Sequence, residues 1–228
     1  VISLDSSFLA RVPLFEGLDQ EAQMRLFSMM GQTTLRRGEN LFEEGDDGDR
    51  LYIVAEGKIK LSHQSVDGRE NLLAVLGPGE ILGELTLFDP GQRSTTATAV
   101  SPARLVFLNH SDLMVFLEDN PSLAKHMLKA LAKRLRRTNE ALADLVFSDV
   151  PGRVAKALLD LADRFGIRTE DGIHVPHDLT QEELAQLVGA SRETVNKSLA
   201  EFVNRNWIRL EGRAVTLVDI DRLARRAR

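Results

Sequence analysis

Apolar and polar positions change their rhythm twice along this chain, and each change predicts a different architecture. From Thr33 to about Asn109, short apolar or β-branched runs alternate with glycines: Thr33–Arg36, Leu41–Glu43, Leu51–Val54, Lys58–Leu61, Asn71–Leu76, Thr95–Val100 and Leu105–Leu108. Gly38, Gly45, Gly48, Gly57, Gly68, Gly77, Gly79 and Gly91 fall between these runs. Short strands punctuated by glycine turns predict an all-β sandwich or barrel, here an antiparallel roll. Ahead of it, Asp19 to Met30 carries an Asp cap and the apolar repeat of a short helix.

From Asn120-Pro121-Ser122 the rhythm becomes helical and runs to about Phe147 without another Gly or Pro. Ala124, Leu128, Leu131, Leu135, Thr138, Leu142 and Leu145 alternate spacings of four and three, a heptad seam sustained over three heptads. No other helix of this length is predicted, so the simplest partner for the seam is its own copy, and a homodimer is expected.

Beyond Asp149-Val150-Pro151-Gly152, expected as a turn, a smaller helix-rich segment follows. Arg153 to Phe165 is amphipathic and ends at Gly166, and Ile173-His174-Val175 has the makings of a short strand. Trp207–Leu210 and Ala214–Val218 flank Glu211-Gly212-Arg213 as a hairpin. The expected class is α+β: a β-roll (jelly roll) over 1–118, a long dimerisation helix over 119–148 and a winged helix-turn-helix over 149–228.

The chain has 228 residues and no cysteine, which removes disulfides, thiolate chemistry and Cys-ligated zinc or iron-sulfur clusters. No apolar run reaches membrane-spanning length, and Val1 to Ser7 lack the features of a signal peptide, so the cytoplasm is the expected compartment. His174 and His177 are read as loop histidines, and no metal site is expected. The net charge of −5 is unevenly placed: residues 1–149 hold 16 Lys+Arg against 22 Asp+Glu, residues 150–228 hold 13 against 12. Arg222, Arg225, Arg226 and Arg228 crowd the end, suited to phosphates or to a solvated helix terminus.

Leu179-Thr180-Gln181-Glu182-Glu183 opens a helix with a capping box between Thr180 and Glu183. Leu184, Ala185, Leu187 and Val188 form its apolar face, Gly189 ends it, and Ser191 caps a second helix. On that helix Val195, Leu199 and Phe202 share one face, with Glu193 and Lys197 opposite and Arg192 at the N-terminal edge. Arg and Lys suit guanine edges and Glu suits cytosine N4 in a major groove, at roughly 1 to 3 kcal/mol of discrimination each.

The run Asp178 to Lys197, with Ser191-Arg192-Glu193-Thr194-Val195 followed by Asn196-Lys197, resembles the helix-turn-helix of the CRP/FNR family, on the cAMP receptor protein branch. The resemblance assigns Arg192, Glu193, Thr194 and Lys197 to double-stranded DNA and implies an inverted-repeat operator with TGTGA-like half-sites. Relatives often carry Arg where this chain has Lys197, a point donor in place of a fork.

Gly83-Glu84-Leu85-Thr86 precedes Arg93-Ser94 by a few residues, inside the predicted roll. Backbone amides opening a short helical turn favour an anion, Arg93 and Ser94 suit a phosphate, and Glu84 suits a ribose hydroxyl. Together they resemble the phosphate-binding cassette of cyclic-nucleotide-binding domains. The resemblance places Gly83, Glu84, Leu85 and Thr86 at ribose and phosphate, Arg93 and Ser94 at the cyclic phosphate, and Thr138 with Asn139 at the base. Relatives often have Thr-Ser in place of Thr138-Asn139; adenine is favoured, so cAMP is the expected effector.

The resemblance thus implies a cAMP-responsive, homodimeric activator or repressor of transcription, allosterically controlled, with RNA polymerase as a further partner. A family member with another or no effector, and a regulatory subunit of an enzyme or channel, are the rivals. The helix-turn-helix and the lack of a catalytic or membrane segment argue against the latter, and no catalytic residues are expected.

Overall fold

The computed structural model describes residues 8, 9, 12–15, 18–89 and 91–227, without the side chains of residues 14 and 87. Val1 to Ser7 and Arg228 therefore lie outside it. The chain forms two compact units: Val1–His63 with Val75–Arg137, and Gln64–Ala74 with Thr138–Arg228.

Helix α1 (Gln20–Met29) starts where predicted because the Asp19 carboxylate accepts from Ala22 N at 2.8 Å. The roll follows as eight strands: β1 (Gly31–Leu35), β2 (Asn40–Phe42), β3 (Arg50–Glu56), β4 (Ile59–Gln64), β5 (Glu70–Leu76), β6 (Ile81–Leu82), β7 (Thr96–Ala99) and β8 (Ala103–Asn109). They form two four-stranded sheets, ordered β1-β8-β3-β6 and β2-β7-β4-β5. Phe42 of one sheet meets Tyr52 of the other, ring centroids 6.0 Å apart, so the two sheets face each other at that point. Between β6 and β7 lies a single helical turn, α2 (Leu85–Phe88).

Within the roll all seven predicted strands are present, and of its eight strands only the two-residue β6 has no counterpart among them; a short strand of the second unit, Ile167–Thr169, was not predicted either. Nor was α3 (His110–Asp119), which follows β8 without a Gly or Pro between them. Its buried residues, Leu113 and Phe116, join Leu26, Leu51, Ile53, Val106, Leu108, Leu123 and Met127 in one apolar cluster. That cluster fixes α1, α3 and the start of α4 against the β1-β8-β3-β6 sheet.

Helix α4 spans Pro121–Phe147, the predicted bounds, but buries only Leu123 and Met127. The seam residues Leu128, Leu135, Leu142 and Leu145 are each at least half exposed in the single chain.

In the second unit the expected turn at Val150-Pro151-Gly152 is instead the first turn of α5 (Val150–Phe165). Asp149 caps it, accepting from Gly152 N at 2.9 Å, and a Pro in the first turn forfeits no hydrogen bond. β9 (Ile167–Thr169), β10 (Gly172–Val175), α6 (Gln181–Val188), α7 (Arg192–Asn204), β11 (Ile208–Glu211), β12 (Ala214–Leu217) and α8 (Ile220–Arg226) complete the unit. The strands form one sheet ordered β11-β12-β10-β9. His174 belongs to β10 rather than to a loop, paired with Thr216, and His177 is a buried loop residue whose Nδ1 accepts from Leu179 N.

The C-terminal arginines form a helix end: Arg226 Nη2 binds the Asp149 carboxylate at 2.6 Å, and Arg222 lies 4.0 Å from Asp219. The Arg226 hydrogen bond, then that from Gly152 N, hold the Asp149 carboxyl below its ordinary pKa of 3.8. A carboxyl whose folded pKa is depressed stabilises the fold above the unfolded value and loses that contribution as pH falls through the folded one. Asp149→Ala is therefore expected to cost about 1 kcal/mol at pH 7, chiefly as a lost cap, with the difference fading below about pH 4. The single tryptophan, Trp207, reports unfolding of this unit by fluorescence; equal denaturation midpoints at pH 7 would contradict the assignment.

Candidate functional site

The first site grows from the link between β6 and β7. Gly83 has φ +81°, and a Cβ there would lie 2.5 Å from Arg93 Nη1 and 2.8 Å from Arg50 O. Only glycine permits this turn and this approach together. The chain then enters α2, whose first amides have no intrahelical carbonyl to bind.

Arg93 is 4% exposed. Its Nη1 donates to Gly83 O at 3.0 Å and Thr86 Oγ1 at 3.1 Å, its Nη2 to Arg50 O at 2.9 Å. The guanidinium lies over the Phe42 ring, 4.5 Å from its centroid, and within 5.8 Å of Tyr52. Burial pulls its pKa below the ordinary guanidinium value, opposed by Tyr52, Asp49, Glu84 and Asp46 nearby. It stays protonated at any physiological pH. Its hydrogen bonds are all to neutral oxygens, so a full positive charge sits in the roll without an ion pair among the described residues.

Glu84 is 1% exposed. One carboxylate oxygen accepts from Arg134 Nη1 of α4 at 2.6 Å; the other, Oε2, is buried with no partner. A buried carboxylate oxygen without a donor is an acceptor waiting for one. Arg134 flanks the heptad seam and has the pattern of a solvated charge, so nothing in the sequence singles it out. Arg137, one turn on, lies 3.6 Å from Glu80.

Among the other predicted ligand residues, Thr86 is buried and joined to Arg93, whereas Leu85 and Ser94 are exposed. Thr138 and Asn139 are exposed on α4, Thr138 one helical turn beyond Arg134. The structure thus brings Gly83, Glu84, Thr86 and Arg93 together and adds Arg134.

The second site is the helix pair α6 and α7. Thr180 and Glu183 form the predicted capping box, with Glu183 N to Thr180 Oγ1 at 3.1 Å and Thr180 N to Glu183 Oε2 at 2.8 Å. Gly189 closes α6 in the left-handed conformation, φ +68°, and Ser191 caps α7 by accepting from Thr194 N at 3.2 Å. Val195, Leu199 and Phe202 are buried, so Arg192, Glu193 and Lys197 face solvent. Lys197 Nζ pairs with Glu193 Oε1 at 2.7 Å across one turn, and the Thr194 hydroxyl is joined to that of Ser191 at 2.9 Å. Arg213 is exposed at the hairpin tip, and its carbonyl accepts from Asp178 N at 2.9 Å, tying the hairpin to the entry of α6. In the sequence Arg213 is marked only as part of the Glu211-Gly212-Arg213 turn.

A clasp holds the end of α4 to this helix pair. Arg153 donates to Ser148 O at 2.7 Å, Val188 O at 3.0 Å and Gly189 O at 3.2 Å. Lys156 Nζ binds the Asp144 carboxylate at 2.5 Å, which raises the lysine pKa.

A β-roll with a buried arginine, a long helix and a winged helix-turn-helix together make the architecture of a DNA-binding protein with a separate N-terminal domain. Residues 32–120 match the cyclic nucleotide-binding domain family and residues 152–226 the Crp-like helix-turn-helix domain family. The chain is 52% identical to the CRP-like cAMP-activated global transcriptional regulator of Mycobacterium tuberculosis (strain H37Rv), over 96% of this chain and 98% of that protein. It is 36% identical to the cyclic AMP receptor protein of Thermus thermophilus, over 87% and 88%. The solved structure of the c-di-GMP-responsive regulator CLP of Xanthomonas campestris superposes with a TM-score of 0.76 at 25% identity, over 87% of this chain and 99% of that one. The chain belongs to the CRP/FNR family: it is a DNA-binding transcription regulator with a cyclic-nucleotide-binding domain, and not an enzyme. No helix of the described residues is long and apolar enough to cross a membrane.

Replacing Gly83 by Ala forces a Cβ into Arg93 and strains the backbone, so a loss of about 1 to 3 kcal/mol of stability is expected. Thermal unfolding of Gly83→Ala measures it; an unchanged midpoint would mean that the turn relaxes freely.

Proposed function

We propose that this protein is a cAMP-responsive regulator of transcription, acting in the cytoplasm as a homodimer on operators built from TGTGA-like inverted repeats. The observation that carries the reading is the pairing of opposites around Gly83. Among the described residues Arg93 is a buried cation without an ion pair, and Glu84 is a buried carboxylate with one oxygen unbound. A cyclic phosphate supplies the anion, and the neighbouring ribose hydroxyl supplies the donor. Ser94 and the amides of Leu85 and Thr86 stand beside Arg93 and Glu84 in the chain and complete the phosphate contacts.

Residues 1–118 serve as sensor, 119–148 as dimer helix and 149–228 as DNA reader. In a parallel pair of α4 helices, heptad spacing puts Thr138 on the seam and Asn139 on its flank, both suited to the adenine edge. Ligand then favours one arrangement of the two helices, and the Arg153 clasp supports passage of that bias to α6 and α7. Two copies of α7 about one DNA turn apart, ~34 Å, match an inverted repeat. Arg192, Glu193 and Lys197 read bases, Thr194 and Arg213 contact phosphates, and RNA polymerase is the partner through which binding changes transcription.

Calorimetric titration of cAMP, cGMP and a cyclic dinucleotide, each with and without a TGTGA-type duplex, tests the effector. By linkage, cAMP should tighten duplex binding by the same factor as the duplex tightens cAMP binding; operator affinity unaltered by cAMP would contradict the switch. Leu135→Glu places a charge in the seam and is expected to convert the dimer to monomer at micromolar concentration, with operator binding weaker by about tenfold or more. Sedimentation equilibrium reads the first effect, and a wild-type monomer would refute the dimer.

A further inference from the structure

The sheet of the second unit carries a polar cluster on one face. Directly paired residues of neighbouring strands share a face, and the row Ile167, His174, Thr216 and Arg209 crosses β9, β10, β12 and β11. The adjacent row, Arg168, Ile173, Leu217 and Ile208, points the other way, where Asp163 of α5 lines one cavity with Arg168, Ile173 and Leu217. On the His174 face β11 adds Glu211, two residues after Arg209, while β9 and β12 bring no ionisable side chain. The turn between β9 and β10 adds Glu170, which is exposed, and Asp171, and the hairpin tip adds Arg213.

These charges are unevenly matched. Arg209 Nη2 binds the Asp171 carboxylate at 2.9 Å, whereas Glu211 faces His174, Oε2 to Nδ1 at 3.6 Å. Thr216, 3% exposed, joins the two: its hydroxyl donates to Glu211 Oε1 at 2.9 Å, and its oxygen lies 3.2 Å from His174 Nδ1. A hydroxyl has one proton to give. With that proton on Glu211, the Thr216 oxygen accepts, so Nδ1 carries a hydrogen and a further proton enters the ring at Nε2. The network is therefore kept when the imidazole becomes an imidazolium, and Glu211 gains a cation without losing a hydrogen bond.

Histidine is the side chain whose charge changes between about pH 5 and 8. Glu211 lies two residues before Arg213, whose carbonyl ties the hairpin tip to Asp178 N at the entry of α6. A carboxylate at this place weakens the attraction of the wing for phosphates, and an imidazolium beside it offsets that loss. We propose that His174, Thr216 and Glu211 form a proton-sensing element of the wing, through which falling pH tightens DNA binding. It acts on the DNA contact proposed above and rests on that reading.

The test uses the full chain with saturating cAMP and an inverted-repeat TGTGA duplex, followed by fluorescence anisotropy at constant salt between about pH 5.5 and 8. Wild type, His174→Gln and Glu211→Gln are compared, with Trp207 fluorescence confirming that each is folded. Gln at 174 keeps a donor for Thr216 but does not titrate. As pH falls across this range, the wild-type affinity is expected to rise about 3- to 10-fold more than that of His174→Gln. Glu211→Gln, already without the carboxylate, is expected to exceed wild type at pH 8 by about the same factor. By linkage, wild type takes up more protons than His174→Gln on binding the duplex, read calorimetrically in two buffers of different ionisation enthalpy. Parallel pH profiles for wild type and His174→Gln overturn the proposal, and so does a Glu211→Gln that binds no tighter than wild type at pH 8. Absence of duplex binding by all three at every pH is the failure of the parent reading, and this proposal falls with it.

Discussion

Three neutral oxygens converge on the guanidinium of Arg93 and hold it over an aromatic ring, nearly sealed from water. Much of the N-terminal unit is explained by the need to keep that charge where it is. Carbonyls of Gly83 and Arg50 partly replace water, and Thr86 is buried to add a third acceptor. Phe42 and Tyr52, from opposite sheets, supply the π-faces a cation prefers. None of these groups neutralises it. Carbonyls and rings reduce the desolvation penalty of a cation, but only an anion removes the field it creates. The unit thus holds a buried charge with neutral acceptors and no ion pair among the described residues.

Glu84 has the opposite character and the same incompleteness. Its ion pair with Arg134 joins the cassette to α4, the helix whose leucine seam is exposed in the single chain. A ligand that engages Glu84 Oε2 therefore acts on a residue already tied to α4. At the far end of that helix, Arg153 and Lys156 fasten the last turn to the DNA-reading pair through three carbonyls and one carboxylate. Within the first unit α4 is thus fastened at its middle through Arg134, and within the second at its last turn through Asp144 and Ser148.

Where a local signal was strong, the sequence foretold the structure closely. Asp19, Thr180 with Glu183, and Ser191 each cap the helix they were expected to cap, because capping depends on residues within one turn. The strands between glycines, and α4 from Pro121 to Phe147, were legible for the same reason. α3 was not, because β8 passes into it with no Gly or Pro and only tertiary packing of Leu113 and Phe116 reveals it. The segment Val150-Pro151-Gly152 looked like a turn, yet the Asp149 cap makes it helix. At the site, Gly83, Glu84 and Arg93 were recognisable from their chain order. Arg134 was not, since its contact with Glu84 spans fifty residues, and no local pattern distinguishes it from its basic neighbours. The orphaned oxygen of Glu84 is likewise a property of the packed fold alone.

The central claim is that Arg93 is held for an incoming anion, at no benefit to the unliganded fold. Thermal unfolding of wild type and Arg93→Met, each with and without cAMP, tests this most directly. Methionine keeps an apolar side chain of similar reach while removing the charge and with it the desolvation penalty of a buried cation. The account predicts a ligand-free Arg93→Met that is as stable as wild type or more so, and whose midpoint no longer rises with cAMP. A ligand-free variant that is strongly destabilised, yet still stabilised by cAMP as the wild type is, would contradict it.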